Sequence, residues 1–99
     1  MTEHVVVVMF DTTPDNQAEA LEKIGAYVRT FLSQQPGFVG STLNKSLDGT
    51  RLVHHARWTS EAAFQAAGEK ARVHPDLPAL MVYKPAGKGY AVWERFGAS

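Results

Sequence analysis

The stretch FVGSTLNKSLDGTRLVHHARWT, residues 38–59, decides the fold. Two runs rich in strand formers flank Asp48-Gly49, a pair in which both residues tolerate positive φ. The pattern predicts a strand over 38–47, a hairpin turn, and an antiparallel strand over 50–59. By alternation, Leu52, His54, Ala56 and Trp58 share one face of the second strand. Arg51, Val53, His55 and Arg57 share the other.

Working toward the N-terminus, Pro36-Gly37 stops a helix that reaches back to a Thr13 cap. Pro14 suits the first helical position, Asp15 favours the positive helix end, and the helix is predicted to run to about Gln35. Leu21, Ile24, Gly25, Val28, Phe31 and Leu32 form an apolar stripe at three-and-four spacing. Glu19, Glu22, Lys23 and Arg29 lie opposite, and Tyr27 falls off the stripe and is expected to be partly exposed. Residues 4–10 are a non-alternating β-branched run, read as a strand covered on both faces.

Working toward the C-terminus, Ser60 caps a second helix that passes Phe64 and ends near Arg72. Its alanines, Ala62, Ala63, Ala66, Ala67 and Ala71, give it a slim face. His74-Pro75 breaks it. Residues 76–83 read as a short helical piece, with Leu77, Leu80 and Met81 on one face. Residues 85–89 read as a turn and 90–96 as the last strand. The order β-α-β-β-α-α-β is the ferredoxin-like pattern of an α+β protein, an antiparallel sheet with helices on one face. One domain over 1–99 fits a chain of 99 residues.

Composition narrows the function classes. Ten basic residues balance ten acidic ones, so no footprint for a nucleic-acid backbone or an anionic membrane surface follows. The apolar run over 5–10 is too short to span a bilayer, and Met-Thr-Glu-His lacks the positive start of a signal peptide. With no cysteine there is no disulfide, thiolate metal site or cysteine nucleophile. A cytoplasmic protein is expected.

The first strand is apolar on both faces, Val5 and Val7 pointing one way and Val6 and Val8 the other. The last presents Tyr90, Val92 and Phe96 on one face and Ala91 and Trp93 on the other. A monomer would expose that second apolar face, whereas two sheets paired face to face would bury it. A homodimer through the sheet face is therefore expected. The alternative, a loop or the C-terminus covering that face, has few spare residues to draw on.

His54 and Trp58 lie two steps apart on one face, a pattern that suits an apolar pocket with one titratable group. The plainer alternative is a core tryptophan beside a hydrogen-bonded histidine. His54 and His55 point apart, so they make a poor metal pair, and no metal site is expected. Asn44 is placed across the hairpin from His54. Tyr83 and Tyr90 can offer hydroxyls to a pocket or serve as packing with a wet tip. His74 before Pro75 reads as a helix end. Gly87-Lys88-Gly89 lacks phosphate-loop spacing, and no nucleophile elbow or dinucleotide fingerprint is present.

Three segments taken together resemble the antibiotic biosynthesis monooxygenase family. They are Gln35 to Leu43 with its Pro-Gly-Phe, Ser46 to Thr50 with its Asp-Gly-Thr, and Ala56 to Phe64 with Trp58, Ser60 and Phe64. The resemblance covers most of the chain. It implies a dimeric α+β barrel, with a pocket between sheet and helices and a dimer on the other sheet face. Trp58 matches a pocket tryptophan of that family. His54 stands where its anthrone oxygenases have asparagine, Phe64 where they have tyrosine, and Asn44 where one has histidine. No arginine stands at the expected place on the second helix, although Arg72 is near. For the haem-degrading branch, the first-strand asparagine is absent, and His74 roughly matches the axial histidine.

The resemblance thus implies a cofactor-independent monooxygenase acting with dioxygen on a small aromatic, polyketide-like phenolic substrate. His54 would be the base. His54 and Trp58 form the expected catalytic pair, and Asn44, Phe64, His74, Met81 and Tyr83 the expected substrate-binding set. A non-oxygenase isomerase or cyclase, a ligand-binding stress protein, and a haem-degrading oxygenase are the alternatives on the same fold.

Overall fold

The computed structural model describes residues 3–97. The elements are β1 (His4–Asp11), α1 (Gln17–Thr30), a 3-10 turn (Leu32–Gln34), β2 (Phe38–Lys45), β3 (Arg51–Trp58), α2 (Glu61–Ala71), α3 (Leu77–Met81) and β4 (Ala86–Ala91). The strands form one sheet in the order β2-β3-β1-β4, with every neighbouring pair antiparallel. This is the ferredoxin-like arrangement with its helices on one face.

The registers assign the two faces. His4, Val6, Val8 and Phe10 of β1 stand opposite Trp58, Ala56, His54 and Leu52 of β3. These β3 residues are all buried, so this face is the helix-covered one. Val5, Val7 and Met9 share the outer face with Arg57, His55 and Val53.

Several boundaries differ from the sequence reading. The hairpin is not a tight Asp48-Gly49 turn but a five-residue loop over 46–50, and Leu47 is fully exposed. Asp48 Oδ1 organises this loop by accepting from Ser46 Oγ at 2.9 Å, Thr50 N at 3.0 Å and Thr50 Oγ1 at 2.7 Å. Those bonds, with Thr50 first, hold its carboxyl below its ordinary range. Thr13 does bond reciprocally with Asn16, as in a capping box (2.8 and 3.2 Å). The residues between them form a turn, however, and the α-helix proper begins only at Gln17 and gives way to a 3-10 turn after Thr30.

The largest correction concerns β4. The predicted turn over 85–89 lies mostly inside the strand, which ends at Ala91 rather than Phe96. Its glycines are not turn residues. A Cβ at Gly89 would stand 2.9 Å from His4 Cε1, and one at Gly87 would stand 3.3 Å from Val8 Cγ2. Side chains of the neighbouring strand occupy that space, which is a reason for glycine within a strand.

Tyr27 is the other correction, since it is buried rather than partly exposed. α3 packs against α1, and the His74 ring that precedes α3 meets the Tyr27 ring edge-on at 5.1 Å. The buried line of α1 is therefore Ala20, Ile24 and Tyr27. Leu21, Gly25 and Val28, the heart of the predicted stripe, are only half-buried.

The interior has two parts. Phe10, Ile24, Tyr27, Leu52, Leu80 and Tyr83 pack into one cluster. Val6, Ala56, Trp58 and Ala67 pack into another, with Phe38 and Phe64 against them. Val8 touches both.

Ser60 caps α2 as expected by accepting from Ala63 N at 3.0 Å. Gly37 brings α2 onto the sheet. Its φ is +87°, and a Cβ there would meet Ala63 Cβ at 2.5 Å. No described helix is long and apolar enough to cross a membrane.

Candidate functional site

β3 carries His54 into the helix-covered face at the seam between the two clusters. Alternation alone puts it there, flanked by Leu52 and Ala56 on the same face. The imidazole is 5% exposed, and its Nε2 has no hydrogen-bond partner. Burial is the first cause, and the charge of neighbouring His55 the second, that pulls its pKa below the ordinary histidine value. At neutral pH the ring is therefore uncharged and able to accept a proton.

Two hollows meet at His54. The inner one is a cavity of about 160 Å³, walled by Val8 and Phe10 of β1, Ile24, Tyr27 and Val28 of α1, the 3-10 residue Leu32, Leu77 and Leu80 of α3, and Pro85. Among these residues His54 is the one titratable group apart from the Tyr27 hydroxyl. Burial pushes that hydroxyl's pKa up, so it stays protonated. The outer hollow is an open cleft of about 450 Å³ between α1 and β2. Leu21, Gly25, Val28 and Arg29 line it on the helix side, and Phe38, Ser41 and Leu43 on the sheet side. Val28 and His54 belong to both walls and form the partition. The half-buried apolar flank of α1 is thus the cleft wall.

The predicted site residues do not all converge. Trp58 is fully buried, but in the second cluster rather than in either wall. Its ring meets Phe38 at 5.3 Å and Phe64 at 5.6 Å, both edge-on, and its Nε1 is unpartnered. Phe64 is accordingly a neighbour of Trp58, and it also contacts the His4 ring at 5.7 Å.

Asn44 lies on the opposite face of the sheet from His54. It pairs with Val53, is exposed, and donates to Thr42 Oγ1. The hairpin register, which sets Lys45 against Leu52 and Asn44 against Val53, fixes this parity, and an Asp48-Gly49 turn with Leu47 opposite Thr50 already implies it. Met81 is 53% exposed, because α3 turns Leu77 and Leu80 inward instead. Tyr83 is buried, and its hydroxyl donates to Glu19 Oε1 at 3.1 Å. His74 backs Tyr27 and Phe31, and its Nδ1 accepts from Asp76 N at 3.1 Å.

Of the cavity's lining residues only His54 was among the expected site residues; Val8 and Phe10 of β1, the α1 and α3 side chains, Leu32 and Pro85 were missed. The non-alternating first strand was the available signal for Val8 and Phe10. Among the described residues no cluster of three histidine, aspartate or glutamate side chains is arranged to hold a metal.

Comparison with known proteins places this geometry in context. The family model described as antibiotic biosynthesis monooxygenase matches residues 4–73. The chain is 33% identical over 95 residues to tetracenomycin-F1 monooxygenase of Streptomyces glaucescens, covering 95% of this chain and 85% of that one. It also superposes on the ActVA-Orf6 monooxygenase of Streptomyces coelicolor, solved with nanaomycin D. The TM-score is 0.78 at 26% identity, over 99% of this chain and 94% of that one. The N63A mutant of SnoaB, a cofactor-independent oxygenase of Streptomyces nogalater, matches at a TM-score of 0.69 and 26% identity, over 96% of this chain and 95% of that one.

Proposed function

This chain belongs to the antibiotic biosynthesis monooxygenase family, and from that premise we propose that it oxidises a flat phenolic, polyketide-like substrate with dioxygen, without a cofactor. The observation that carries the reading is His54, an uncharged and unpartnered imidazole in the wall of an otherwise apolar cavity.

The proposed chemistry needs little else from the protein. His54 takes a proton from the activated methylene of an anthrone-like ring system. The carbanion passes one electron to dioxygen, and the radical and superoxide combine into a peroxide at that carbon. The proton on His54 returns to the peroxide. Loss of the second methylene hydrogen together with hydroxide, as water, leaves the carbonyl. One dioxygen is consumed, with one oxygen atom in the quinone and the other in water.

The apolar lining of the cavity disfavours water beside the carbanion, and an uncharged histidine is in the protonation state that general-base work requires. The inner cavity alone is smaller than ordinary ligand sites, which run to about 300–1,000 Å³. The substrate in this reading therefore spans the partition into the cleft.

The test is oxygen uptake with an anthrone. Wild type should consume dioxygen, and His54→Ala should lose about 100-fold or more of the rate with an unchanged circular dichroism spectrum. Undiminished uptake by the variant would sink the role given to His54. Product formed without oxygen uptake would leave proton transfer alone, the isomerase reading.

The family premise also supports a homodimer. The outer sheet face carries Val5, Val7, Met9, Val53 and Tyr90, and Met9 and Tyr90 are 42% and 47% exposed. In this reading a second copy covers that face, leaving the His54 face to the pocket.

A further inference from the structure

We propose that the cleft between α1 and β2 is a subsite for an anionic group on an aromatic ligand, a carboxylate or a phenolate, and that Arg29 is the residue that selects it. The inference rests on the reading of His54 as the working end of the site and adds the chemical class of what reaches it.

Arg29 is the only permanently charged side chain among the residues lining the cleft. Arg57, Arg72 and Arg95 each pair with a glutamate. Arg29 has no carboxylate within 4.0 Å among the described residues, and its guanidinium makes no hydrogen bond to them. Its side chain folds back along the helix over Gly25, Nη2 lying 3.4 Å from where a Cβ of that glycine would stand. Arg29 is exposed, but its guanidinium lies along the helix at the cleft wall, and the missing side chain at position 25 leaves it the room.

Across the cleft the Ser41 hydroxyl is likewise unengaged among the described residues. Ser33, by contrast, is committed to Arg29 O at 3.0 Å. A guanidinium offers five donors in a planar fork that matches a carboxylate. Leu21, Phe38 and Leu43 supply apolar walls that reduce solvent screening of such a pair. The rings of a ligand would lie against these walls and toward His54, with the anionic group at Arg29.

The test uses 2-naphthoic acid and its methyl ester, titrated calorimetrically into wild type, Arg29→Gln and His54→Ala. Wild type should bind the acid about 10-fold or more tightly than the ester, the range of a charge-assisted pair. Arg29→Gln should lose that preference while binding the ester unchanged. Added salt should weaken the acid alone. Equal binding of acid and ester by wild type, no binding of the acid, or a preference that survives Arg29→Gln would each overturn the proposal.

Naphthoate carries no activated methylene, so this result is independent of turnover. A lost acid preference with His54-dependent oxygen uptake intact defeats the anion subsite alone. An intact preference without any oxygen uptake defeats the oxygenase reading alone. The acid preference should persist in His54→Ala, because that residue lies at the partition and not at the anion. Loss of the preference there would place the anion at His54 and overturn the role of Arg29. A 1-naphthol and 1-methoxynaphthalene pair at raised pH tells a phenolate from a carboxylate requirement.

Discussion

His54 is 5% exposed with an unpartnered Nε2, so protonating it sets a charge into an apolar wall. In the unfolded chain a histidine takes up its proton near pH 6.5. In the folded protein burial, and then His55, lower that value. Between the two values the unfolded chain binds more protons, so stability rises with pH through the window and is lost as pH falls below about 6.5. The carboxyls of Glu19 and Asp48, both held low, add their own losses only in the more acid carboxylate range. The melting temperature should therefore decline from about pH 7.5 to about pH 5.5, and His54→Leu should flatten that decline. An unchanged slope in the variant would show that His54 titrates normally. Oxygen uptake should follow the same protonation, holding through neutral pH and falling at a midpoint below the ordinary histidine value. The place of His54 on the buried face was legible in the sequence, through its apolar neighbours and the alternation of its strand. That it stands apart from Trp58 was not, because two side chains on one face can still belong to different packing clusters.

Among the elements, two glycines separate conformational need from spatial need. Gly37 sits at φ +87° with Ala63 Cβ 2.5 Å from where its own Cβ would be. Gly37→Ala should then cost about 2 kcal/mol or more, from backbone strain and overpacking together. Gly25 lies inside α1 with helical geometry and only the Arg29 side chain at contact distance. Gly25→Ala should stabilise the fold by about 0.5–1 kcal/mol, the helix-propensity difference. Urea midpoints of the two variants should move in opposite directions. A destabilised Gly25→Ala would mean that Arg29 cannot shift.

Element order and type were readable from periodicity and caps: Ser60 does cap α2, and the alternation of β3 holds along its length. β4 misled because Ala-Gly-Lys-Gly-Tyr-Ala carries turn composition, while its strand conformation comes from pairing with β1.

At the scale of the whole molecule the chain is a slab of 41 × 35 × 19 Å. Its outer face is broad enough for a standard interface of about 800 Å² per partner. The proposed dimer should appear in sedimentation equilibrium as twice the 10.9 kDa chain mass. Val7→Lys with Met9→Lys, two lysines on that face, should shift it to monomer, since an unpaired buried ammonium is costly. A wild-type monomer at micromolar concentration would remove the dimer. Trp93 and Phe96, expected on the last strand, lie beyond its end, 88% and 72% exposed. They add apolar surface that the sheet itself does not bury.

The sequence by itself determined the ferredoxin-like element order, the faces of β3 and the two-sided apolarity of β1. All three rest on local periods and on pairs of residues close along the chain. Only the tertiary structure decided which side of α1 the core takes and that an inner cavity and an outer cleft meet at one imidazole. Those depend on where α3 packs and on the space left between elements far apart in sequence. None of these has a local period to announce it.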